Sequence, residues 1–99
     1  MGMDDTYATA LVRIAEVYEA EASAHGGKSL ARVATIVVNR GSFFERLRSG
    51  DGFSVKNLDR FAAWFRDPAN WPQGAIPQQA LDALQDIGRP AIEPQAEAA

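Results

Sequence analysis

The sequence predicts an all-α fold, a compact five-helix domain over residues 5–88. Apolar residues recur at steps of three and four in successive segments, the period of a helix with one buried side. Asp or Ser stands before several of these segments and Gly or Pro closes them, as helix starts and stops require. The one β-branched run, Thr35-Ile36-Val37-Val38, has no partner strand nearby.

The first helix is expected from Asp5 to Ala24, with Asp4, Asp5 and Thr6 as cap oxygens and Tyr7, Leu11, Ile14, Tyr18 and Ala22 as its buried stripe. Gly26-Gly27 ends it. Ser29 caps a second helix to Val38, built on Leu30, Val33, Ala34, Val37 and Val38. Its β-branched end also suits a strand, but the missing partner decides for helix. A third runs from Phe43 to Ser49 and stops at Gly50. Ser54 caps a fourth from Val55 to Arg66, with Val55, Leu58, Phe61, Ala62 and Phe65 inward, until Asp67-Pro68 breaks it. The fifth begins at Pro77, buries Ala80, Leu81, Leu84 and Ile87, and ends at Gly88. Residues 89–99, rich in Ala and Pro, are expected to be a disordered tail.

Asn39-Arg40-Gly41-Ser42 is the most informative stretch. Asn tolerates the left-handed conformation that ends a helix. Ser42 and Glu45 have the spacing of a capping box. One helix therefore stops and another starts within about four residues, a helix-turn-helix pattern.

The charges are segregated along the chain. The formal total is −3, yet residues 27–66 hold eight bases against three acids, a local +5. Those bases are Lys28, Arg32, Arg40, Arg46, Arg48, Lys56, Arg60 and Arg66. A polyanion senses charge within roughly 10 Å at ordinary salt, so the middle segment is where phosphates would dock.

The segments SLARVATIVV, NRGS, FFERLRSG and SVKNLDRFAAWF resemble the lambda-repressor/Cro-like, or XRE-like, helix-turn-helix family. Two positions depart from the family pattern. Asn39 stands where Gly is usual, and Ala34 takes the place of a larger aliphatic, so the register of the second helix is open by one residue. The resemblance implies a DNA-binding domain whose third helix enters the major groove of double-stranded DNA. It implies Arg40, Gly41, Ser42, Glu45 and Arg46 as base contacts. Glu45 could equally be consumed by the capping box. Phosphate contacts would come from the next helix starts and nearby cations: Lys28, Ser29, Arg32, Arg48, Ser54, Lys56 and Asn57. For Lys56 and Arg60 a plain solvated charge is an equal reading. Reading palindromic half-sites implies a homodimer, with Trp64 and Trp71 as possible contacts.

Enzyme chemistry finds little support. Gly27-Lys28-Ser29 matches only the end of a phosphate-binding loop, because position 22 is Ala and not Gly. His25 is the only histidine, Cys is absent, and no metal or cofactor is expected. Neither a membrane span nor a secretory signal is visible, so a cytoplasmic protein is expected. The overall expectation is a sequence-specific transcriptional regulator, most plausibly a repressor, with no small-molecule ligand. The alternative is a protein-binding adaptor or inhibitor on the same scaffold.

Overall fold

A computed structural model describes residues 3–88, with side chains from Tyr7 onward. The expected tail, 89–99, lies outside the described residues. Helix α1 spans Met3–His25 and buries Ala10, Leu11, Ile14, Ala15 and Tyr18. Tyr7 and Ala22, at the ends of the expected stripe, are half-buried against the same core. Gly26, at φ 84°, closes α1 by donating its amide to the Ala22 carbonyl at 2.8 Å.

Helix α2 is Leu30–Val38, so the β-branched run is helical. Ser29 caps it, its Oγ accepting from the Arg32 amide at 3.1 Å. Helix α3 is Phe43–Arg48 and α4 is Val55–Phe65. Ser54 caps α4 in the same way, accepting from the Asn57 amide at 3.0 Å. A single 3-10 turn, Pro68–Asn70, follows, started by Asp67 accepting from the Ala69 amide. Helix α5, Gln78–Ile87, begins one residue later than expected, with Pro77 in the N-cap position. No strand occurs among the described residues.

Helix α5 lies along α1, while α2, α3 and α4 close the other side of the bundle. The core is aromatic. Tyr18 meets Trp64, Phe65 and Trp71 edge-on at centroid distances of 5.8, 5.8 and 5.4 Å. Phe43 and Phe44 reach Phe61 at 4.5 and 4.8 Å. Pairs in this range add about 0.5–1.5 kcal/mol each beyond burial alone. The radius of gyration, 13.1 Å, matches the compact value of about 13 Å for a 100-residue domain.

Two expectations about the core, and the placing of Trp71 at a subunit contact, are corrected. Val55 is 51% exposed, because the first turn of α4 (Val55 and Lys56 after the cap Ser54) projects beyond the core. Leu81 is 38% exposed; the inner stripe of α5 is Ala80, Ala83, Leu84 and Ile87, and Leu81 flanks it. Trp71 is 3% exposed and its indole Nε1 donates to the Phe65 carbonyl at 2.8 Å. That side chain is spent inside the fold and offers nothing to a second subunit.

Tyr18 gives the fold a pH signature. Its ring is 1% exposed and its hydroxyl accepts from the Lys28 amide at 3.2 Å. Burial raises the phenol above its ordinary 10.0, and the Lys28 bond opposes this only in part. An acid whose folded pKa is raised stabilises the fold fully below its unfolded value. That contribution disappears as pH climbs through the folded value. Denaturant midpoints should therefore fall steeply above pH 10. Tyr18→Phe should lower the midpoint at pH 7, having removed the acceptor for Lys28, yet fall less across the alkaline range. Equal alkaline slopes in the two proteins would refute the assignment.

Candidate nucleic-acid interface

The site is built around the four residues that separate α2 from α3. Asn39 adopts φ 58°, ψ 35°, the left-handed conformation expected of it. Its amide donates back to the Thr35 carbonyl at 2.9 Å, and the amide of Phe43 then donates to Arg40 at 3.2 Å. Gly41 fits a close approach: a Cβ there would sit 3.2 Å from Thr35 Oγ1. Thr35 Oγ1 is itself held by the Ala31 carbonyl at 3.0 Å. The turn therefore rests on α2.

The capping box at this turn does not form. Ser42 has φ −88°, ψ 7° and makes no side-chain cap, whereas Ser29 and Ser54 have ψ 161° and 154°. An extended ψ aims the hydroxyl at the amides ahead of it. Ser42 is already in a tight turn, so its Oγ points elsewhere. Among the described residues neither the Ser42 hydroxyl nor the Glu45 carboxylate has a hydrogen-bond partner. Glu45 is consequently not consumed by the cap.

Helix α3 buries Phe43, Phe44 and Leu47 and exposes Glu45, Arg46 and Arg48. Its end is closed by backbone bonds and by the Ser49 hydroxyl, which donates to the Glu45 carbonyl at 3.1 Å. Gly50, at φ 94°, donates to Leu47 at 3.1 Å, and Asp51 donates to Arg46 at 3.0 Å. This is the Schellman pattern, satisfying carbonyls that a helix end leaves open. It also brings the Asp51 carboxylate beside Arg46, with Oδ2 accepting from Nε at 3.0 Å.

Two grooves of about 390 Å³ each lie beside α3 towards α4 and α2, and another of about 350 Å³ lies between Leu47, Arg48 and α1. The one towards α4 gathers Arg40, Arg46, Asp51, Ser54 and Asn57 over Phe43, Leu47 and Phe53. The one towards α2 gathers Ser29, Gly41, Glu45 and Arg48, with Glu19 of α1 at its edge. Four of the five residues named as base contacts line one groove or the other, as do four of the seven named for phosphate. Ser42 is exposed at the α3 start. Lys28, Arg32 and Lys56 are exposed but line neither groove, and Trp64 is half-buried against Tyr18. Asp51 was not foreseen in the site; the signal for it is Gly50 in the closing position, which fixes the next residue against the last turn.

The cationic belt is interrupted. Arg48 Nη2 meets Glu19 Oε1 at 3.3 Å, and Arg46 pairs with Asp51, in both cases at exposed positions. Such exposed pairs are worth about 0–1 kcal/mol and yield readily to an anionic ligand. Arg66 is committed inside the fold, its Nη2 donating to the Leu84 carbonyl at 3.4 Å. Burial lowers its guanidinium below the ordinary value, and the charge of Asp59 opposes that shift. Lys28, Arg32, Arg40, Lys56 and Arg60 have no ion-pair partner among the described residues.

No family model, curated protein or solved structure matches this chain. Among the described residues, no group of three or more His, Cys, Asp or Glu side chains could hold a metal ion, and no helix is long and apolar enough to cross a membrane.

The two serines should separate in stability measurements. Ser54→Ala removes a formed cap and should cost about 1 kcal/mol, whereas Ser42→Ala should fall within about 0.5 kcal/mol of wild type. Urea unfolding of both variants checks this, and equal losses would show that Ser42 does cap α3.

Proposed function

We propose that this chain is a sequence-specific double-stranded DNA-binding protein that inserts α3 into the major groove. The observation that supports it most is the presentation of α3. Three of its six side chains anchor it, the other three face outward, and capped starts of α2 and α4 stand on either side. Recognition helices work in this arrangement: the exposed face reads base edges, while amides at neighbouring helix starts and nearby cations hold phosphates. Arg40, Gly41, Ser42, Glu45 and Arg46 are the reading set. Arg can hold guanine through two hydrogen bonds, Ser can bond several bases, and Glu can accept from a cytosine amino group. Lys28, Ser29, Arg32, Arg48, Ser54, Lys56 and Asn57 are the phosphate set.

The fold is read as lambda-repressor/Cro-like, on the resemblance of residues 29–65 to that family. The biological role that follows is transcriptional regulation, most simply repression in the bacterial cytoplasm by a homodimer, without cofactor. Trp64 remains the candidate for the dimer contact, since part of its ring surface is open. Overall acidity does not oppose the reading. Of the acids of α1 and α5, Glu21 and Asp82 line a separate groove of about 700 Å³, while Glu16 and Glu19 reach only the Arg48 end of α3.

A salt titration of affinity for duplex DNA tests the proposal. Log affinity should fall with log salt by about 0.9 per phosphate contact. Arg46→Ala should cost about 1–3 kcal/mol on the preferred sequence and flatten discrimination, whereas Lys28→Ala should weaken all duplexes alike. Negligible binding to every duplex at moderate salt would overturn the proposal in favour of a protein-binding adaptor or inhibitor.

A further inference from the structure

Asp51 is the acid that the fold sets against Arg46, and its backbone position is fixed by the end of α3. The Schellman closure fixes its backbone through the Asp51-to-Arg46 and Gly50-to-Leu47 hydrogen bonds. The carboxylate that results touches Arg46 through Nε at 3.0 Å, and that is the single hydrogen bond formed between the two side chains. A guanidinium has five N–H donors in a rigid planar fork. One prong is held by Asp51, and the four donors on the two terminal nitrogens stay available. Arg40 lines the same groove but makes no pair with Asp51.

We propose that Asp51 is a positioning residue that holds the Arg46 guanidinium end-on, so that its two terminal nitrogens meet the O6 and N7 acceptors of a guanine. This rests on the DNA-binding reading above and deepens it by naming the base. A free arginine side chain loses considerable rotamer entropy when it is immobilised on a ligand. A carboxylate that fixes the fork beforehand reduces that loss for the one target whose geometry fits. The same carboxylate repels phosphates, so it weakens binding to duplexes lacking the guanine. Asp51 therefore has opposite effects on specific and non-specific affinity, which a purely structural residue would not produce.

The experiment uses the full chain and a duplex selected from random sequence, with each base pair then replaced in turn. Affinities are measured for wild type, Arg46→Ala, Asp51→Ala and Asp51→Asn. Wild type should show one guanine whose replacement weakens binding by about tenfold or more, and Arg46→Ala should abolish that dependence. Asp51→Ala leaves the backbone closure intact. It should reduce the guanine preference by about fivefold while tightening binding to unrelated duplexes. Asp51→Asn keeps an acceptor for Nε without the charge. It should retain most of the preference and still bind unrelated duplexes more tightly than wild type.

Duplex binding with no guanine that depends on Arg46 would overturn this inference and leave the DNA-binding reading standing. So would an Asp51→Ala protein whose guanine preference is unchanged or sharper, since Asp51 would then be a competitor for Arg46. Absence of any duplex binding by wild type would overturn both.

Discussion

A six-residue helix cannot stand alone, and that constraint organises this molecule. Nucleating a helical turn costs more than it returns, and isolated segments shorter than about a dozen residues are marginal in water. Helix α3 exists because Phe43, Phe44 and Leu47 are driven into the core, where Phe61 and Phe65 receive the two aromatic rings. Burying each such side chain is worth about 1.5–3 kcal/mol, far more than the intrinsic helix preference of six residues. The outward orientation of Glu45, Arg46 and Arg48 is a by-product of that burial. Their direction is set by the aromatic floor beneath them.

That floor depends in turn on Tyr18. It touches Trp64, Phe65 and Trp71, and its hydroxyl satisfies the amide of Lys28 just before α2. One side chain of α1 thus links the end of α4, the loop that follows it and the entry to α2. Trp71 adds a second link from that loop by bonding the Phe65 carbonyl. The platform under α3 is over-determined, while the rim around it carries only weak exposed ion pairs. A well-packed floor with an easily rearranged rim suits the proposed contact with a charged partner, which would not require the backbone to reshape.

How far the sequence could be read depended on whether a feature is local. Asn39, Ser29, Ser54, Gly50 and Gly88 each act on a few neighbouring amides and carbonyls, and each occupies the cap or turn position that its chemistry suggests. Ser42 misleads because a capping box needs an extended residue at its head, and the brevity of the turn denies Ser42 that ψ. Val55 and Leu81 have the right spacing but sit at the margin of their helices' buried faces, where only the neighbouring elements decide exposure. Trp71 was invisible as a core residue because its loop has no periodicity to reveal an inward side. At the candidate interface the residues of α3 and its flanks were legible. The Arg48–Glu19 pair was not, since the two lie 29 positions apart, whereas the Arg46–Asp51 pair is local and follows from the Gly50 closure.

Under the proposed DNA-binding reading, the brevity of α3 also limits how much information one copy could extract. Six residues advance about 9 Å along a helix axis, the length of two to three base-pair steps at about 3.4 Å each. A vocabulary that small recurs throughout any chromosome, and competing sites outnumber true ones by orders of magnitude. Useful addressing would then have to come from counting: two copies at a fixed spacing, or a bend that only certain sequences tolerate. On that reading, a compact reader of this design would gain its address from spacing or deformability more than from the length of any single word.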